Sequence, residues 1–265
     1  MNRAAIFVLI VLAAAGMFMS AAQGMAAPLK KTVRACDDIS EWPPYVFYER
    51  EGEEAGTLVG MSVDVLEEIL DAQGMKLEVS LMPWNQCLER TRKGDVDVVL
   101  NAAYSPKRAS EFLLSETFYL TTPIILYSTH RYPLGPYIKS LEDLHSMKGC
   151  GVSDFGYHQY QIPPERLDTS SGTIVQAVKK LLQQRCDYIP IAYEPYAAYV
   201  LTGIDILSDP ALGHAPIPGM PKTPYHMLLP RTPRGEKLRA IIDEGLRRMK
   251  SEGRLQQLLD EYGIR

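Results

Sequence analysis

Strand-like and helix-like patterns alternate twice along this chain, and that alternation restricts the fold more than any other feature. Residues 31–36 alternate loosely as a strand. Residues 62–73 carry Val63, Leu66, Ile69 and Leu70 at helical spacing and stop at Gly74. Residues 76–81 alternate again, residues 85–93 form a short helix closing on Gly94, and residues 97–100 read as a buried strand. A β-α-β-α-β order within about 70 residues implies a parallel sheet with helices on its faces. A second series starts at Cys150, with strands at 150–153, near Leu167 and at 188–192. Its helices are expected at 173–184, burying Ile174, Val178, Leu181 and Leu182, and at 194–201, stopped by Gly203. Ser140 with Asp143 reads as a capping box for a short helix between the two series. Residues 203–225 are rich in Gly and Pro and read as an irregular return segment. A strand at 225–229 then leads into two helices separated by Gly253. The first packs Leu238, Ile241, Ile242 and Met249, the second Leu255, Leu258, Leu259 and Tyr262.

The chain opens Met1-Asn2-Arg3, stays apolar to Met19 and exits through Ser20, Ala21, Ala22, Gly24, Ala26 and Ala27. A basic start, an apolar stretch and a small-residue exit describe a secretory signal peptide over residues 1–27, cut between Ala22 and Ala27. A membrane anchor would need about 20 apolar residues. Val33-Arg34-Ala35 is a poor lipidation site ahead of Cys36, so a soluble periplasmic protein is expected. A net charge of −4 argues against a nucleic-acid partner, which needs a basic face. Four cysteines in an exported chain favour disulfides over free thiols, with three connectivities open. Cys36 ends the first strand and Cys87 opens the helix after its neighbour, while Cys150 and Cys186 start two strands expected side by side. Cys36–Cys87 and Cys150–Cys186 are therefore the expected bridges. No C-x₂-C spacing or His in register supports zinc.

Residues 84–119 carry the strongest functional signal. Pro83-Trp84, then Gly94-Asp95-Val96-Asp97, a strand ending in small residues, Ser105-Pro106-Lys107-Arg108, and Ser115 with Tyr119 follow in order. A strand ending beside a helix start that carries an arginine builds a seat for a carboxylate. Together with Pro44-Tyr45, the partial match at Gly60-Met61-Ser62-Val63-Asp64, and Leu229-Pro230, Gly253 and Tyr262-Gly263 at the end, this order resembles the extracytoplasmic solute-binding proteins of ABC importers, family 3. The resemblance covers nearly the whole mature chain. It implies a two-lobed α/β fold of the type II periplasmic-binding-protein kind, each lobe a mainly parallel sheet flanked by helices. Residues 28–127 and 225–265 would build lobe one and residues 128–224 lobe two, with hinge crossings near 127–130 and 223–226. The implied function is capture of a small polar solute, an amino acid or related carboxylate, by a monomer that delivers it to a membrane permease. No cofactor is implied.

Arg108 is the leading site residue, because a guanidinium fork matches a carboxylate. Its alternative is a surface pair with Glu111. Asn101 and Ala103 stand where the resembled family has small hydroxyl residues. Trp42 and Tyr104 read as aromatic cleft walls, and Tyr45 equally as core. Trp84 reads as structural, and Ser105 more as a helix cap than as a ligand contact. Asp37, Asp38 and Glu41 form an acidic patch, of which Asp38 is the nominated cleft acid. In lobe two, Asp154, Gly156, Tyr157 and His158 follow a strand, and Tyr157 and His158 are cleft candidates. The family's amine-binding Asp falls on Ala192, and Glu194 lies close enough to substitute. No hydrolase, zinc-protease, P-loop or dinucleotide motif is present in the sequence. Two rivals share the scaffold: a periplasmic sensor, and an exported dehydratase-like enzyme using Glu194 as general acid.

Overall fold

The computed structural model describes residues 31–153 and 155–264, so the leader pattern at 1–27 and Asp154 lie outside the described residues. The chain enters through β1 (Thr32–Asp38), a short hairpin of β2 (Phe47–Tyr48) and β3 (Leu58–Val59), and α1 (Met61–Asp71). Then come β4 (Lys76–Met82), α2 (Trp84–Lys93), β5 (Val98–Ala103), α3 (Pro106–Glu111), β6 (Leu113–Leu114) and β7 (Tyr119–Thr121). The middle of the chain holds β8 (Pro123–Ser128), α4 (Leu141–His145), β9 (Gly149–Val152), β10 (Leu167–Ser171), α5 (Ile174–Leu182), β11 (Ile189–Ala192), α6 (Tyr193–Ala198) and β12 (Leu212–Pro216). β13 (Thr223–Leu229), α7 (Pro233–Ser251) and α8 (Arg254–Glu261) complete it.

Lobe one is a sheet of order β4-β1-β5-β13-β6, with β7 also paired to β13. β1 runs parallel to β4 and β5, and β13 returns antiparallel to β5. β5, in the middle of this mixed sheet, is buried on both faces. α1 buries Val65, Leu66, Ile69 and Leu70 along one face. Its start is pinned by Gly60, at φ 130, where a Cβ would stand 2.5 Å from the Tyr45 carbonyl oxygen. That approach lets the Tyr45 carbonyl accept the Ser62 N–H. α7 packs on α1 at Gly245, whose missing side chain leaves room for Ile69. One core joins Val33 through Tyr119 with Tyr225 through Ile264, so the C-terminal helices belong to the first lobe.

Lobe two has its own cores, built between Ile124 and Ile217. β9 and β10 are parallel, a bridge from Gly149 to Tyr188 ties β9 toward β11, and β11 and β12 flank β8 antiparallel. Two expectations change here. β12 occupies part of the stretch read as irregular, because β8 supplies the ladder that Gly213 and Pro216 obscure in the sequence. β8 joins the second sheet, so the chain changes sheets at Thr122, between β7 and β8, rather than near 127–130. The helix expected over 194–201 is α6 followed by a 3₁₀ turn, Tyr199–Thr202, and Leu182 is exposed. The Ser140–Asp143 capping box is present.

Cys36 bonds Cys87 within lobe one and Cys150 bonds Cys186 within lobe two, at Cα separations of 5.8 Å and 5.7 Å. Among the described residues, no helix is long and apolar enough to cross a membrane.

Candidate ligand-binding site

The carboxyl ends of β1 and β5 face the segment after β9 and the end of β11, and a pocket opens between them. Ser105 accepts the Arg108 N–H at 3.2 Å and starts α3, with Pro106 in the first turn. That cap turns the Arg108 side chain back toward β5. One guanidinium N–H donates to the Ala103 carbonyl at 2.8 Å, and the guanidinium lies 5.2 Å over the Trp84 ring. Gly156 of lobe two stands opposite, where a Cβ would come 3.6 Å from both terminal nitrogens. Burial pushes Arg108 below its ordinary range, while Tyr225 and Asp37 hold it up. Glu111, the alternative partner on the same helix, pairs instead with Arg92. Among the described residues no carboxylate forms an ion pair with Arg108.

Beneath this arginine lies a buried polar chain. Asp37 accepts the Asp38 N–H at 2.7 Å and the Asn101 amide at 2.8 Å. The Asn101 carbonyl oxygen accepts the Ser62 hydroxyl at 2.6 Å and the Tyr119 hydroxyl at 2.9 Å. Donors favour an ionised carboxylate, but desolvation is larger and pushes Asp37 up to about 7. Asp38 accepts the N–H groups of Ser40 at 2.8 Å and Trp84 at 2.9 Å, so it caps α2. Glu41 receives Arg50 and the Tyr48 N–H.

Aromatic rings form the walls. Trp42 stacks on Tyr225 at 6.0 Å and meets Phe155 of lobe two edge-on at 5.9 Å, so the lobes touch across the mouth. Tyr45 stacks on Tyr119 at 3.8 Å and is fully buried, which makes it core. On lobe two, Tyr157 accepts the Val152 N–H at 2.7 Å and Tyr160 donates to the Ile191 carbonyl at 2.9 Å.

The inner pocket gathers Arg108, Asn101, Ala103, Trp42, Asp38 and Tyr157. Tyr104 and the exposed His158 line an outer groove that meets the pocket at Arg108 and Tyr157. Glu194 is a correction. It is buried and accepts the Thr122 N–H at 2.8 Å and the Thr122 hydroxyl at 2.8 Å. It braces the change of sheets and does not line the pocket, whereas Ala192 does. Trp84 is a second correction: it lines the pocket under Arg108. Asp37 of the acidic patch also lines the pocket, and so do Tyr160, Ile191 and Tyr225, for which the sequence carries no cleft signal. Position alone could have found Asp37, Trp84 and Ile191, since each lies at or just beyond the end of a strand that faces the crevice.

By sequence, no curated protein matches the chain. Solved structures of the same fold include the substrate-binding protein of an amino acid ABC transporter, with TM-score 0.70, 16% identity, and coverage of 88% of this chain and 99% of that one. A histidine kinase sensor domain similar to periplasmic binding proteins has TM-score 0.71 and 21% identity, covering 89% and 97%. An ancestral amino acid-binding protein, described as a precursor of cyclohexadienyl dehydratase, has TM-score 0.67 and 17% identity, covering 88% and 95%. At these identities the likeness establishes the two-lobed type II fold. The profile of the bacterial extracellular solute-binding proteins, family 3, matches residues 38–264, and the protein belongs to that family.

Proposed function

We propose that this protein is the exported, periplasmic capture component of an ABC importer, and that it holds a small carboxylate-bearing solute between its lobes for delivery to a membrane permease. One observation carries the reading: Arg108 stands at the end of β5, inside the interlobe pocket, with Ala103 as its hydrogen-bond partner and no carboxylate paired to it among the described residues. A guanidinium held this way and shielded from water offers charge-assisted bonds of about 1.5–3 kcal/mol to an entering carboxylate. Ligand contacts made to both lobes at once favour the closed form and make closure a population shift. The deciding test is calorimetry on Arg108→Ala with a panel of amino acids and small organic acids. Loss of all carboxylate binding, by about a hundredfold or more in Kd, is expected. Unchanged affinity would refute the reading.

A second reading, acid-assisted elimination in the same cleft, no longer rests on Glu194, whose oxygens are engaged by Thr122. Asp37 favours it instead, because a pocket carboxyl pushed up to about 7 is partly protonated at neutral pH. Turnover of prephenate or arogenate by the wild-type protein, lost in Asp37→Asn, would support it. No turnover of either compound would count against this second reading.

A further inference from the structure

Resting on capture at Arg108, we infer that the ligand is a carboxylate with a flat, aromatic body, and that an ammonium group contributes nothing to its binding. The two lobes offer different chemistry to a bound solute. The arginine is the one pocket cation among the described residues, and it retains donors beyond the one given to Ala103. The acids around it are already engaged. Asp37 holds the Asp38 N–H and the Asn101 amide, Asp38 holds two backbone N–H groups, and Glu41 holds Arg50. An incoming ammonium would have to share carboxylates already bonded within the protein, and would lose its own hydration in doing so. On lobe two the described lining includes Phe155, Tyr157, Tyr160, Ile191 and Ala192 together with the polar Gln159, with no acid among them. The hydroxyl of Tyr160 gives its proton to the Ile191 carbonyl, and its ring joins the lining. Trp42 and Tyr225, stacked on each other, add aromatic lining from lobe one. A pocket edged by aromatic rings from both lobes, with one guanidinium in it, fits an aryl ring carrying a short carboxylate arm.

The test is calorimetry on the wild-type mature protein with four probes: 3-phenylpropionate, L-phenylalanine, succinate and acetate. The expected order has 3-phenylpropionate at least as tight as L-phenylalanine, and both dicarboxylate and acetate at least tenfold weaker. Phenylalanine binding more tightly than its amine-free analogue would overturn the inference, as would succinate or acetate binding as well as the aryl acid. In either case carboxylate binding that disappears in Arg108→Ala would leave the capture reading standing. No binding of any probe, in wild type or variant, would defeat both. Ala192→Asp provides an independent arm by placing an acid on the apolar wall. It should shift preference toward L-phenylalanine by tenfold or more relative to 3-phenylpropionate, and an unshifted ratio would count against the assignment of that wall to the ligand body.

Discussion

Lobe one and lobe two meet the same pocket with different materials. Lobe one brings a buried polar chain, Asp37–Asn101–Ser62 and Tyr119, with Arg108 above it. Lobe two brings ring faces and the ends of β9 and β11, and its one buried acid near the crossing is turned onto Thr122. The difference follows from the sheets. β1 and β5 are parallel neighbours in the middle of lobe one, so their carboxyl ends place Asp37 and Asn101 side by side with the start of α3. In lobe two the neighbours of β8 are antiparallel, so its three strands do not end together at the crevice. On the proposed reading, one lobe meets the charge of the solute and the other its body.

The largest effect that separates the lobes comes from their disulfides. Chain-entropy arguments give each bridge about 4 kcal/mol, because the two loops are of similar length. Removing Cys36–Cys87 should weaken ligand binding as well as stability, since Cys36 adjoins Asp37 and Cys87 shares α2 with Trp84. Removing Cys150–Cys186 should lower stability by a similar amount and leave affinity unchanged. Urea titration paired with calorimetry on the two double-alanine variants checks this, and equal losses of affinity would erase the contrast.

Next is the pH dependence of lobe one. The Asp37 carboxyl binds its proton more tightly in the folded protein, up to about 7, than in the unfolded chain. The native state therefore holds the extra proton between pH of about 4 and 7, and its stability falls as pH rises through that window, by at most about 4 kcal/mol. Asp37→Asn should flatten that slope in thermal unfolding scans, and an unchanged slope would mean that the group is not the one titrating. A smaller loss is expected at the crossing. Glu194→Ala leaves the Thr122 N–H without its acceptor and should cost about 2 kcal/mol by urea unfolding. The smallest is Ser105→Ala, where losing the α3 cap should cost about 1 kcal/mol and loosen Arg108. A drop in carboxylate affinity with little change in melting temperature would be its mark.

Much of lobe one was legible in the chain because its signals are local. Period-two and period-3.6 runs place β1, α1, β4 and α2, and Ser105-Pro106 announces the helix that carries Arg108. The disulfide partners were legible for the same reason, since each pair closes within one unit of alternation. What escaped depends on distant partners. Glu194 looked like a free helix acid because nothing near it in sequence reveals Thr122, 72 positions away. β12 hid because Gly213 and Pro216 interrupt its pattern, and only pairing with β8 makes it a strand. Trp84 read as structural because its neighbours describe a helix start. That Arg108 would lie over its ring depends on how α3 folds back, which no local pattern encodes.

The chain has two tryptophans, and both line the inner pocket, Trp42 at its mouth and Trp84 under the guanidinium. Intrinsic indole emission from this protein therefore comes entirely from the crevice, undiluted by any fluorophore of that kind elsewhere. Docking of a solute, or parting of the Trp42 and Phe155 rings, should register as a spectral change without a dye or a label.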